Sequence, residues 1–275
     1  MSDLLDESFR ETGEITLEIH AKAREAVASG ASRRGFFEKA GVLAAGTALG
    51  IGGLPLMMPR PAMAATTSTD SIQDIINIAA TAELLATTFY YHSLELPSRL
   101  PDVNSMQNRN YFQAADTQEY IHLEVLKSMG AKPLVTKFYF PEGMFTKQDV
   151  FFSTATTLER YFISAYLAAA QEFSGVVSSA ITTPNPYLIG LAIQVAGVEC
   201  EHRALLRVAA GTNPPNNQEI EEGLLKTVSE AATPLKPFLQ GESGFIGPFS
   251  PPAKDAIDTQ SQPYGFGFFK SVPID

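Results

Sequence analysis

One cysteine, four histidines and no tryptophan occur in 275 residues. A single thiol excludes an intrachain disulfide framework, a four-thiolate zinc site, an iron–sulfur cluster and the two-cysteine haem-attachment motif. The histidines are His20, His92, His122 and His202, so imidazole chemistry has very few residues to draw on. Positive charge is also short: 20 Lys and Arg face 30 Asp and Glu, for a formal charge of −10. So acidic a chain lacks the basic surface that binds nucleic acid, and no such partner is expected. Hydrophobic residues make up 45% of the sequence, ample for one core domain of about 200 residues with appendages.

Residues 1–64 read as a leader separate from the fold. Ser32-Arg33-Arg34-Gly35-Phe36-Phe37-Glu38-Lys39 resembles a twin-arginine export motif, and an uncharged Gly/Ala/Leu run follows from Ala40 to Met58. Ala62-Met63-Ala64 then offers a small-x-small cleavage site before Ala65. The run is as long as a minimal membrane span, but its glycines, Pro55 and the cleavage site favour a removed signal over a stable anchor. The expected destination is the periplasm or the cell exterior. Gly50-Ile51-Gly52-Gly53 has signal composition and is no phosphate loop, since neither a strand nor a lysine accompanies it. The charged stretch Asp3 to Ala28 is assigned no chemistry.

From Ala65 the hydrophobic pattern is helical. Helix A is expected from about Ser71 to Glu95 with an Asp70-x-x-Gln73 cap, and helix B from about Ser105 to Met129 after Asn104-x-x-Gln107. Helix C is expected from near Lys147 to about Ile181, and helix D from Asn185-Pro186 to Gly211. Short A–B and C–D connections imply antiparallel neighbours, whereas Gly130 to Thr146 is long enough to cross over. The fold class is therefore all-α: a four-helix bundle over 65–211 with a long B–C crossover. An extension over 212–275, with a short helix at Gln218–Ala232 and a coil tail, is expected to pack on the bundle or on a partner subunit.

The inward stripe of each helix is apolar except near its middle. Helix A reads Ile76, Ala79, Glu83, Ala86, Tyr90; helix B reads Phe112, Ala115, Glu119, His122, Leu126. Helix C reads Ala155, Glu159, Phe162, Tyr166, Ala169; helix D reads Ala192, Val195, Glu199, His202, Leu206. Four inward glutamates without a basic partner would repel one another and lose their hydration. Two divalent cations would cancel four negative charges, with two neutral imidazoles completing the set. Composition alone predicts fewer than one Glu-x-x-His pair; there are two, each 36–40 residues after another inward glutamate.

This pattern resembles the ferritin-like dimetal-carboxylate superfamily. The export signal and C-terminal extension are similar to the exported bacterial ferritin-like proteins grouped with desiccation-related proteins. The resemblance implies that Glu119 and Glu199 bridge two metals, with Glu83 and His122 terminal on one and Glu159 and His202 terminal on the other. Asp116, Gln118 and Gln194 are candidates to orient the histidines. Tyr90, Tyr161 and Tyr166 lie within two turns of the site and read as core more than as redox groups. Glu95, Glu124, Glu172 and Glu201 fall off the stripes and are expected in solvent. His92 reads as structural or surface, and Cys200 as an inert thiol.

Carboxylate-rich ligation suits iron first and manganese second. Six protein ligands leave open positions where O2 or H2O2 can bind, so the leading expectation is an oxidoreductase: a ferroxidase or a peroxide scavenger in stress protection. A manganese-catalase-like enzyme is the neighbouring alternative. A non-catalytic stress or interaction protein with a structural metal site is the other. Rubrerythrin-type chemistry fits less well, because Phe162 stands three residues after Glu159 and a cysteine-rich module is missing. The long extension disfavours a storage cage, although a homo-oligomer fits the aromatic tail.

Overall fold

The computed structural model describes residues 68–265. The export motif, the cleavage site and the aromatic run after Gly265 lie outside them. Four long helices form the bundle: α1 (Ile72–Glu95), α2 (Arg109–Ser128), α3 (Gln148–Phe173) and α4 (Pro186–Ala209). Helix α1 packs along α2 and α3 along α4, and the two hairpins close on one another. Among the described residues no helix is long and apolar enough to cross a membrane.

Helix α1 is buried on nearly every side. The bundle covers one face. The crossover covers another, where the Leu134 amide donates to Thr81 Oγ1 and the Lys132 amide to Asn77 Oδ1. Its N-cap is one residue later than the sequence suggests: Ser71 and Asp74 form the capping box, while Asp70 turns inward to accept from the Ser229 amide and hydroxyl. Helix α2 begins later than expected, because Asn104 is used elsewhere. Its amide donates to the Ser93 and Leu100 carbonyls, and its oxygen accepts from Arg109. Helix α3 stops at Phe173 and not near Ile181. Gly175 takes a positive φ of 74°, after which Ser178 bridges to Ser68. Helix α4 starts as its sequence signals, with Asn185 Oδ1 accepting from the Leu188 amide and proline at the first turn.

The extension departs most from expectation. Gln218–Ala232 is not a helix. Residues 218–227 cross α3 and α4 without regular structure, and Ser164 Oγ donates to the Glu222 carbonyl and accepts from the Leu224 amide. Glu221 and Glu222 pair with Arg203 and Arg160, and these anchors replace the helical bonds. A 3-10 turn (Val228–Ala231) leads into α5 (Ala232–Gln240), then strand β2 (Phe245–Phe249) and α6 (Lys254–Gln260). Strand β2 pairs antiparallel with β1 (Phe138–Pro141) of the crossover, matching Phe138 to Phe249 and Phe140 to Ile246. Gly247 allows the approach, since a Cβ there would lie 2.8 Å from the Phe138 carbonyl oxygen. Around this clip Phe140, Phe145, Phe249 and the His92 ring pack at centroid distances of 5.1–5.6 Å.

Candidate metal centre

The helical register that put one glutamate on each inward stripe brings all four carboxylates together in mid-bundle. Glu83 comes from α1, Glu119 and His122 from α2, Glu159 from α3, and Glu199 and His202 from α4. Two overlapping groups result: Glu83, Glu119, His122 and Glu199, and then Glu119, Glu159, Glu199 and His202. Within each group the ligand atoms lie within 4.8 Å of one another, and Glu119 and Glu199 belong to both. All four glutamates are buried.

Both histidines turn Nδ1 toward the carboxylates. His122 Nδ1 lies 3.4 Å from Glu83 Oε2 and 3.4 Å from Glu199 Oε1. His202 Nδ1 lies 2.9 Å from Glu119 Oε1, without hydrogen-bonding geometry, and 3.2 Å from Glu199 Oε2. His202 Nε2 is 2.9 Å from Gln118 Oε1, which can accept an Nε2–H, while Nδ1 bonds Glu199 Oε2 and would lose its proton to present a lone pair to a metal. Position 198, which stands to Glu199 as Gln118 stands to Glu119, is Val198. The two halves of the site are therefore unequal. The His202 side chain is 2% exposed and held by Gln118, whereas His122 is 12% exposed.

Two tyrosines complete the framework; both are core residues, as the sequence implies, and both bond a carboxylate. Each follows its helix's glutamate by seven residues and donates to the glutamate of the other hairpin. Tyr90 of α1 donates to Glu159 Oε1 at 2.5 Å, and Tyr166 of α3 donates to Glu83 Oε1. The second oxygens, Glu83 Oε2 and Glu159 Oε2, have no hydrogen-bond partner. Neither do Glu119 Oε1 and Oε2, Glu199 Oε1 or His122 Nδ1. Six buried polar atoms without hydrogen-bond partners, spread over two overlapping groups, is the arrangement that divalent cations would satisfy. The donor set fits two such ions.

The electrostatics agree. Burial, and then the Glu199 and Glu83 charges, push the Glu119 carboxyl well above the usual carboxylate range. Burial and Glu199 do the same to Glu159. Burial would also raise Glu199, but His122 and His202 outweigh it and hold that carboxyl below its ordinary value. Burial opposes charge on His122, yet the carboxylates of Glu119, Glu199 and Glu83 raise it well above the ordinary imidazole value. Burial, followed by their glutamate neighbours, keeps Tyr90 and Tyr166 protonated as donors.

The other candidates sort differently. Gln118 does orient a histidine. Asp116 does not: it is buried against Ser261 of the extension. Gln194 is exposed on the outer face of α4. Tyr161 lines an apolar cavity. Glu95 and Glu124 are half in solvent and Glu201 is exposed, as the stripes imply. Glu172 is not. It is fully buried, accepting from Ser68 Oγ and from the Val228 amide. A sequence signal existed, since no lysine or arginine lies within a turn of it. His92 bonds Glu95 at 2.5 Å, remote from the centre, and burial raises the Cys200 thiol to about 11.

The ferritin-like domain model matches residues 71–212, more than half of the chain and the full extent of the bundle. The chain belongs to the ferritin-like family. Neither comparison with curated proteins nor comparison with solved structures gives a match. In this ferritin-like domain the bundle, the clustered carboxylates and the paired histidines form one coherent unit, to which the extension adds an outer brace.

Proposed function

We propose that this ferritin-like protein binds two divalent metal ions, iron in the first place and manganese in the second, and works as an oxidoreductase on O2 or H2O2 outside the cytoplasm. The carrying observation is the set of six unpartnered buried atoms on Glu83, Glu119, His122, Glu159 and Glu199. Glu119 and Glu199 would bridge, Glu83 with His122 would serve one ion, and Glu159 with His202 the other. Redox-active ions held by these residues would supply electrons for reducing O2 or peroxide.

The chain's own residues prepare that chemistry. Gln118 fixes the His202 tautomer. Tyr90 and Tyr166 each occupy one oxygen of a terminal glutamate and so leave one oxygen free. Val195 and Leu206 pack one turn from Glu199 and His202 and limit water at the centre. Ferroxidase or peroxide-scavenging activity in stress protection is the specific reading, with export by the twin-arginine pathway and self-association as accompanying expectations.

Elemental analysis of protein purified without added metal, alongside O2 and H2O2 consumption, tests the reading. About two irons per chain, lost in Glu119→Ala and His202→Ala, with O2 or peroxide consumption, is expected. Two manganese with fast peroxide loss would assign a manganese-catalase-like enzyme instead. Metal without turnover would assign a structural site, and no metal at all would overturn the proposal. Arg33→Lys/Arg34→Lys should trap an unprocessed precursor in the cytoplasm, and normal export of that variant would refute the route.

A further inference from the structure

Beside the metal centre runs a cavity of about 70 Å³ that none of the ligand glutamates lines. His122 and Tyr166 stand at its inner end. From there it follows the bundle axis to the level of Ile75 on α1 and Phe173 on α3, a length of ~10 Å at 1.5 Å per helical residue. Every other lining residue is aliphatic or aromatic, Tyr161 included. Val228, Ala231 and Leu235 of the extension close its far end.

Protein interiors carry few voids larger than a water molecule, and an apolar void weakens the fold. This one extends over about two helical turns. Its closing turn is pinned by two buried carboxylates, Glu172 accepting from the Val228 amide and Asp70 from the Ser229 amide and hydroxyl. The asymmetry of the metal centre points the same way: His122, the less enclosed histidine, faces the cavity, whereas Gln118 occupies His202 on the other side.

We propose that this cavity binds the unbranched alkyl portion of a small organic ligand whose polar end reaches His122 and Tyr166. The inference rests on the dimetal reading and names an organic substrate class for that same site. The cavity has roughly half the volume of one that holds a benzene ring, which suits about three or four carbon atoms in a chain and excludes a ring. Its apolar wall offers hydrogen peroxide no partner away from the His122 end. A longer chain would have to displace Leu235 and the turn behind it.

The test is titration of the purified full-length protein with 1-alkanols from ethanol to hexanol, read by calorimetry and by the NMR signals of the His122 ring. Affinity is expected to rise about fourfold per added methylene up to about butanol and then level off or fall. Benzyl alcohol should bind at least tenfold more weakly than butanol. Ala192→Leu fills the cavity and should remove the chain-length dependence; Ala169→Val, a smaller change, should weaken butanol in a folded protein if the first variant does not fold. A flat series, retained binding in both variants, or uptake of xenon alone would overturn the proposal. Metal content measured on the same samples separates the two readings: alkanol binding to a metal-free protein fails only the dimetal reading, and metal without alkanol binding fails only this one.

Discussion

Glu119→Gln should have opposite effects with and without metal. Glu119 is fully buried, both its carboxylate oxygens lack hydrogen-bond partners, and Glu83 and Glu199 stand beside it. A buried charge in that position costs several kcal/mol, part of which the protein avoids by protonation. Because the folded carboxyl titrates above its unfolded value, the metal-free protein has its full Glu119 contribution at low pH and loses it as pH rises toward the folded value. Glutamine keeps the shape and removes the charge, but its buried amide also lacks partners, at about 1–3 kcal/mol. The net gain at pH 8 is expected at about 1–2 kcal/mol, which raises Tm by about 2–8 °C for a domain of this size. With ferrous or manganous ion at 100 times Kd, each bound ion adds about 2.7 kcal/mol to the wild type. The variant, without the Glu119 carboxylate that belongs to both ligand groups, should gain less than half as much. Thermal unfolding at pH 5 and pH 8, with and without metal, reads both effects. A metal-free variant less stable than wild type at pH 8, or equal metal responses, would refute the reasoning.

Three further outcomes follow from the same geometry. Gln118→Leu leaves His202 Nε2 without its acceptor and should weaken one of the two metal sites by about 10–100-fold, so that metal titration becomes biphasic. Tyr90→Phe and Tyr166→Phe should each weaken metal binding by about tenfold through the glutamate they hold, with helical circular dichroism unchanged. Glu172→Gln should lower stability by about 1–3 kcal/mol, measured by urea unfolding, because the amide keeps one acceptor oxygen where Glu172 uses two, for Ser68 and for the Val228 amide.

What could be read in the sequence was periodic and local. Glu83, Glu119, Glu159 and Glu199 stood out because a charge on an apolar 3.6-residue stripe breaks a strong pattern, and the Asn185-Pro186 start of α4 is a signal carried by two adjacent residues. Cap positions were less legible. Asn104 and Asp70 are ordinary capping residues by type, but tertiary partners at Ser93, Arg109 and Ser229 claim their side chains. Residues 218–227 have helical composition, yet Arg160, Arg203 and Ser164 on the bundle surface hold them in irregular structure. The cavity had no signal at all, since an empty volume depends on how four helices and Leu235 pack and not on any one stripe.

The β1–β2 clip sets an order of events in folding. Phe138 and Phe140 precede α3, and the strand they pair with, Phe245–Phe249, follows α4. The two hairpins can therefore form from local contacts, but the crossover that joins them is fixed only once the segment beyond α4 is available. A chain cut short after α4 would hold its ligand helices without the strand that fastens their connection. The clip thus makes the hold on the crossover depend on a segment that lies beyond all the ligand helices.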